Sequence, residues 1–302
     1  MGKTKLTRRQ FVSTIAAGSG TLLLGKAALP APASESAGFS DSVKIVSLGK
    51  SGLRTTLLGM GTGFSGYNRS SNITRAGVAE SVIRQAYEKG IRFFDCADSY
   101  GTHSYAASAL KSFPRESYTL STKIWVGQGG LPEPERPNAD IVVDRFRKEL
   151  NTDYLDLIQI HCMTDAGWTD REKKQMDILE NLKAKRIINA HGVSVHSLEA
   201  MEVCIGNPWV DIVHVRINSF GEAMDKDDPA VVTPIIEKLH SEGKGIIGMK
   251  LIGAGKFKND PDKIDESLRF VLGLGTVDMI LVGFEMAEQI DNYIARVEKS
   301  VN

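Results

Sequence analysis

The sequence predicts an α/β fold, a (β/α)8 TIM barrel with an N-terminal β-hairpin. Three observations carry this. Eight short apolar runs recur from about residue 55 onward: TTLLGMG, IRFFDCA, YTLSTKIW, YLDLIQIH, IINAHGVSV, DIVHVRIN, GIIGMKL and DMILVGF. They are nearly continuous rather than alternating, as strands covered on both faces are. Amphipathic stretches separate them, such as TRAGVAESVIRQAYEKG, NADIVVDRFRKEL and MAEQIDNYIARVEK, the last with Ile290, Ile294 and Val297 at helical spacing. Eight such units in about 250 residues favour a closed ring over an open sheet. An open doubly wound sheet would place a GxGxxG turn after its first strand. GMGTGFSG (59–66) is glycine-rich without that spacing.

In chain order, MGKTKLTRRQF is basic, FVSTIAAGSGTLLLG is apolar and small, and LPAPAS offers small residues at Ala31 and Ala33. These are the three regions of a signal peptide, assigned to residues 1–33. TRRQF resembles the twin-arginine export motif, with Arg8 and Arg9 as the pair. That implies the twin-arginine machinery as a partner and a periplasmic or otherwise exported bacterial location. The apolar run is shorter than the ~20 residues of a spanning helix, so no stable membrane anchor is expected. Residues 34–42 read as a flexible leader and 43–302 as the barrel domain. At the start of that domain, VKIVSLGKSGLRTTLLG reads as a hairpin turning at GKSG. Two strands alone are marginal, so the hairpin should pack on the barrel and close its bottom.

Composition narrows the function. Hydrophobic residues make up 42% of the 302 and charged residues 25%, an ordinary globular balance. Formal charge cancels at 37 bases and 37 acids, but five bases and no acid fall in residues 1–33, leaving 32 bases against 37 acids. A mildly acidic body lacks the footprint of nucleic-acid binding. Cys96, Cys162 and Cys204 stand far apart, with no CxxC or Cys/His cluster, so they read as free thiols and no metal site is expected.

In such a barrel chemistry sits at the C-terminal ends of the strands. Asp95 ends IRFFD, Tyr100 lies on the loop that follows, Lys123 ends YTLSTK and His161 ends YLDLIQIH. Each could have a bland role alone: a cap, a snorkelling lysine, a satisfied core histidine, rim packing. Four ionisable groups from three successive strands on one face need a common explanation, because buried charge is costly unless paired.

The resemblance is to the aldo/keto reductase family. FFDCADSYG resembles its signature, with a strand-end Asp followed five residues later by Tyr. STKIW resembles its lysine strand, DYLDLIQIH its histidine strand, HGVSVHS its GVSN-type segment and GMKLIGAGKF the loop after its seventh strand. The likeness runs from about Val43 to Val297. It implies an NAD(P)-dependent oxidoreductase moving a hydride between nicotinamide and a carbonyl or alcohol substrate: an aldehyde, ketone or sugar. It implies Asp95, Tyr100, Lys123 and His161 as the catalytic set. Tyr100 would be the general acid/base, Lys123 would lower its pKa, Asp95 would pair with Lys123, and His161 would orient the carbonyl.

The resemblance also implies that Gly61, Thr62, Ser194, His214, Met249, Lys250, Phe284, Glu285 and Gln289 meet the cofactor. Phe64, Trp125 and Cys162 would line the substrate pocket, with Trp168 added from the loop after His161. This sequence departs from the family at Val195, where Asn is usual, at His214 for Gln, and at Met249 for an aromatic. The adenosine end offers Phe284, Glu285 and Gln289 without a base. NADP is the expected cofactor and NAD the alternative, because a carboxylate at Glu285 would repel a 2′-phosphate and accept from a 2′-hydroxyl. The alternative function is a nicotinamide-binding redox sensor or regulatory subunit with little turnover.

Overall fold

The computed structural model describes residues 43–301. The expected signal peptide and leader lie outside the described residues. Strands β1 (Ile45–Ser47) and β2 (Arg54–Thr56) form an antiparallel hairpin. The barrel strands are β3 (Leu58–Gly61), β4 (Phe93–Asp95), β5 (Thr119–Ile124), β6 (Leu155–Met163), β7 (Ile188–Val195), β8 (Ile212–Arg216), β9 (Gly245–Met249) and β10 (Met279–Gly283). All are parallel, and β10 returns to pair with β3, closing the ring. The expected (β/α)8 class is what the chain adopts.

Two segments differ from the sequence reading. TTLLGMG is not one strand: Thr55 and Thr56 belong to the hairpin, and the barrel strand begins at Leu58. Thr56 is the joint, its Oγ1 donating to Leu58 O at 2.8 Å and accepting from Arg92 N at 3.0 Å. The stretch from Thr74 is also not one helix. It divides into α1 (Asn72–Arg75) and α2 (Ala79–Glu88) around Gly77, whose φ of +72° ends the first turn. The remaining helices are α3 (His103–Leu110), α4 (Ala139–Glu149), α5 (Trp168–Arg171), α6 (Lys173–Ala184), α7 (Leu198–Glu202), α8 (Pro229–Ser241), α9 (Pro261–Gly273) and α10 (Ala287–Val301). Their apolar faces meet the outer face of the strands in one cluster that includes Ile83, Phe146, Leu179, Ile236, Leu268 and Ile290. No helix among the described residues is long and apolar enough to cross a membrane.

A second cluster fills the lower interior. Phe93, Leu157, Ala190, Ile212, Ile247 and Met279 point inward from six strands, and Leu48 from the hairpin turn joins them. The hairpin thus closes the bottom, as expected. Lys50 N donates to Gly243 O at 2.7 Å. Gly49 lies so close that a Cβ there would stand 2.4 Å from the same oxygen, and its φ of +51° also favours glycine.

Candidate active site

Side chains alternate along a strand, so the residue two positions beyond an inward one is inward again. Two residues above Phe93 is Asp95, above Leu157 is Gln159 and above Ile212 is His214. The register puts Asp95 beside Ser121 on β5, and Lys123 is the next inward residue of that strand. Lys123 Nζ therefore reaches down onto Asp95, donating to both carboxylate oxygens at 2.5 Å and to Cys96 O at 3.1 Å. Ser121 Oγ adds a bond to Asp95 Oδ1 at 3.1 Å. His214 Nε2 stands 3.4 Å from the same oxygen, close but out of line for a hydrogen bond. All are buried. Burial alone would raise the Asp95 pKa, but the Lys123 charge, helped by His214, outweighs it and holds the carboxyl far below its usual range.

After β4 the chain makes a single 3-10 turn, Asp98–Tyr100, and reverses at Gly101 with φ +67°. The Tyr100 ring lies against Gly63 and Gly66, where added Cβ atoms would come within 2.1 and 2.4 Å of it. Only glycine at both positions leaves room for the phenol. Tyr100 OH stands 3.4 Å from His161 Nε2, the rings meeting edge to face at 5.5 Å. Lys123 Nζ is 5.2 Å from the Tyr100 ring centroid. Trp125 closes on His161 from another side, its ring edge to face at 5.2 Å. Asp95, Lys123 and His161 from three strands and Tyr100 from the turn thus surround one small volume, with Trp125 at its side.

The electrostatics correct one expectation. The Tyr100 phenol is pushed well above its ordinary value, by burial first and then by the Asp95 charge. The net shift is upward, opposite to the expected lowering, although Lys123, bonded to both Asp95 oxygens at 2.5 Å, stands near the ring. His161 is held well below its ordinary value, by burial first and then by Lys123, and is neutral. The pocket therefore presents a protonated phenol beside an uncharged imidazole.

A groove of about 440 Å³ leads away from this point. Asp95 and Tyr100 line it from the β4 side, and Glu285 and Gln289 from the segment after β10. Of the residues expected at a cofactor, Gly61, Thr62, Met249, Lys250, Phe284, Glu285 and Gln289 line it. Phe284 does so with its ring buried, edge on to Tyr293. Ser194 and His214 are not on its wall. Ser194 Oγ accepts from Cys162 N at 2.8 Å, and His214 lies beneath Asp95. Of the residues expected at the substrate, Phe64 stands on the groove rim, while Trp125 and Cys162 are half-buried near His161. Trp168 is corrected: α5 turns it into the core, where it is fully buried and donates to Ala200 O at 3.1 Å. Cys162, at the irregular end of β6, and Lys250, just past β9, hold φ of +63° and +65°, strain of the kind that gathers at functional sites.

Sequence reading missed Asn72, Lys258 and Leu281 on the groove wall. Asn72 Nδ2 donates to Glu285 Oε1, joining the loop after β3 to the loop after β10, and Glu285 N donates to Gln289 Oε1 at 2.6 Å. No local motif announces a contact between residues so far apart in the chain. Lys258 had a readable signal, a base in the loop after GMKLIGAGKF.

The groove suits an elongated dinucleotide. Gly61, Gly63, Gly255 and Gly283 let backbone approach closely, and Ile73, Leu281 and Val282 give apolar surface. Lys250 and Lys258 face it without an ion pair among the described residues, a donor set matched to phosphate oxygens.

A closed parallel barrel with a tyrosine, a neutral histidine and a buried Lys–Asp pair at its strand ends places the chain among barrels with a top-face site. Residues 57–270 match the model of the Aldo/keto reductase family, and the chain belongs to that family. Among curated proteins it is 32% identical over 127 residues to probable aldo-keto reductase 1 of Glycine max, covering 39% of this chain and 36% of that one. It is 26% identical to the aldo-keto reductase YhdN of Bacillus subtilis, covering 61% and 56%. D-threo-aldose 1-dehydrogenase of a Pseudomonas species is 23% identical, covering 62% and 63%. The match thus spans from about a third to under two thirds of these relatives' own length.

Solved structures share the fold. A putative aldo-keto reductase from Pseudomonas aeruginosa superposes with a TM-score of 0.68 at 22% identity, covering 87% of this chain and 97% of that one. An aldo/keto reductase from Klebsiella pneumoniae in complex with NADP and acetate gives 0.63 at 15%, covering 84% and 90%.

Proposed function

We propose that the protein is an exported nicotinamide-dependent oxidoreductase that interconverts a carbonyl compound and its alcohol, with Tyr100 as the acid in reduction and the base in oxidation. One observation carries this reading: the Tyr100 hydroxyl and His161 Nε2 face each other at 3.4 Å where the groove meets the buried Lys123–Asp95 pair. A carbonyl oxygen seated against both atoms would accept from the phenol and from the Nε2–H tautomer of the imidazole. A reduced nicotinamide held in the groove would supply the hydride. Tyr100 would give its phenolic proton to the carbonyl oxygen as that oxygen gains the C–O π pair. The Tyr100 phenolate left behind lies near the Lys123 ammonium, and the Asp95 carboxylate keeps that ammonium in place. His161, neutral throughout, orients the oxygen without competing for the proton.

Gly61, Thr62, Met249, Lys250 and Gln289 would hold the dinucleotide along the groove, with Ser194 and His214 acting through Cys162 and Asp95, which they meet. NADP is the cofactor of this reading and NAD the alternative. Lys258 favours a phosphate at the groove wall, and Glu285 counts against one beside its carboxylate. Export rests on the basic, apolar and small-residue regions of 1–33 and on Arg8 and Arg9. Purified protein should oxidise NADPH or NADH in the presence of a reactive aldehyde, and Tyr100→Phe should lose that activity. A Tyr100→Phe enzyme at the wild-type rate would remove Tyr100 from the mechanism. Replacing Arg8 and Arg9 with lysine should block export in a twin-arginine-competent bacterium, and unaltered export would reject that route.

A further inference from the structure

Asp98 is a buried acid that the proposed chemistry leaves unused. It opens the single turn that ends in Tyr100 and is 3% exposed. Two arginines from separate parts of the chain converge on it. Arg69 Nε donates to Oδ1 at 3.3 Å and Arg145 Nη2 to Oδ2 at 2.6 Å. Each arginine continues outward. Arg69 Nη1 reaches Glu133 Oε1 at 2.6 Å, on the loop that begins at Trp125. Arg145 Nη1 reaches Glu149 Oε1 at 2.9 Å. The other Glu149 oxygen meets His103 Nδ1 at 2.6 Å, and His103 Nε2 meets Thr122 Oγ1 at 2.7 Å. Thr122 immediately precedes Lys123. One unbroken series of polar contacts therefore runs from the Trp125 loop, beneath the tyrosine's turn, to the strand that carries the lysine.

The ring of Tyr100 is packed against Gly63 and Gly66, but the backbone turn that carries it makes few bonds of its own. Within it, Tyr100 N donates to Ala97 O at 3.0 Å, one bond for three residues. The segment carrying Arg69 is itself strained: Ser65, Asn68 and Arg69 all have φ between +51° and +55°. Such a backbone persists only where its surroundings over-determine it. Buried ion pairs add little net stability compared with apolar packing of the same volume. Their directional bonds do fix geometry, here that of the backbone turn from which the packed ring projects.

We propose that Asp98 is a positioning residue. Through Arg69 and Arg145 it sets the Tyr100 oxygen against His161 and ties that setting to the Trp125 loop. The inference rests on Tyr100 being the proton donor.

The isosteric Asp98→Asn tests it. kcat on a reactive aldehyde should fall roughly ten- to hundred-fold, the cost of displacing a reacting group by about an ångström. The KM for reduced nicotinamide should stay within about threefold, since Asp98 does not line the groove. The solvent deuterium isotope effect on kcat should rise, because transfer from a displaced phenol becomes slower relative to other steps. Removing one charge from a buried pair also loosens the fold, so Arg69→Met is measured beside it. Arg69 is about a third exposed, and its loss leaves the Arg145–Asp98 pair intact. A several-fold lower kcat with a raised isotope effect and an unchanged melting temperature in Arg69→Met supports the proposal. Wild-type kcat and isotope effect in Arg69→Met and in folded Asp98→Asn overturn it. So does a parallel loss of cofactor affinity and turnover, which marks general loosening. If Tyr100→Phe is inactive while both variants run at the wild-type rate, this inference alone fails. If Tyr100→Phe is active, the parent reading fails with it.

Discussion

The barrel interior has two layers, two residues apart on the same strands, and burial does not distinguish them. Phe93, Leu157 and Ile212 below are fully buried, and Asp95, Gln159 and His214 above are nearly so. Their partners differ. The lower layer holds the apolar cluster of Phe93, Leu157, Ala190, Ile212, Ile247 and Met279 and is stoppered by Leu48. The upper layer contains a charge pair and polar atoms that no protein group meets, among them Gln159 Oε1, His161 Nδ1 and His214 Nδ1. An unsatisfied buried polar atom costs about 1–3 kcal/mol. The comparison teaches that the lower layer stabilises a ring whose upper layer lowers stability in exchange for poised chemistry.

Breaking the upper layer should give the largest effect. Lys123→Met is expected to lower aldehyde reduction by about 10²-fold or more while leaving cofactor affinity within a few-fold. It also strands Asp95, so unfolding stability should drop by about 3–5 kcal/mol. Adding Asp95→Asn should recover much of that stability and none of the turnover. Denaturant curves and rates on the same three proteins check this, and a Lys123→Met enzyme with normal rates would detach the lysine from the mechanism.

Breaking the lower layer should invert the pattern. Phe93→Ala is expected to cost about 3–5 kcal/mol, with kcat per folded molecule close to wild type. A large kcat loss at full folding would show that the two layers are mechanically coupled.

Acid sharpens the contrast through His196. Burial first, then Arg216 and Lys250, push its pKa down to about 3. In the unfolded chain a histidine binds a proton near pH ~6.5. Its contribution to stability is therefore complete above the unfolded value and is lost as pH falls toward the folded one. The limiting slope is ~1.4 kcal/mol per pH unit for each such histidine. His161 is shifted in the same direction. Melting temperature should begin to fall below about pH 6.5, and His196→Gln should flatten that fall. An unchanged slope would mean that His196 accepts its proton in the folded state.

The smallest effect is expected at Glu285, on the groove wall. Glu285→Arg should raise the preference for NADPH over NADH by ~1 kcal/mol, or several-fold. Because Asn72 holds Glu285 in the structure, Asn72→Ala is the matched control: it frees the carboxylate without changing charge. A ratio indifferent to both variants would show that the ribose does not meet this carboxylate.

What could be read from the sequence follows from what is local. Strand runs and their order fix the ring, and the positions of Asp95, Lys123 and His161 at the ends of their runs bring them to one face from sequence alone. The residues misread depend on where loops go. Trp168 follows the histidine strand and looked like pocket wall, but a one-turn helix carries it into the core. Asn72 and Glu285 meet across the groove with nothing local to announce it. The Tyr100 shift runs opposite to the expected one because burial of the phenol, and then the Asp95 charge, raise it, and neither is legible in the sequence.

The hairpin stopper has a kinetic meaning as well. Leu48 and Lys50 lie near the start of the domain, yet their seat includes Ile212 and Gly243. The ring is sealed by β3 on β10, where Leu58 pairs with Ile280. Both closures join the first residues of the domain to its last third. Chain made early must wait for chain made late, and long loops close slowly. Until then β3 and β10 are bare sheet edges, open to pairing with other molecules. Aggregation during refolding should therefore track the rate of this end-to-end closure, and linking residues near 48 and 243 should speed folding more than any improvement to a single strand–helix unit.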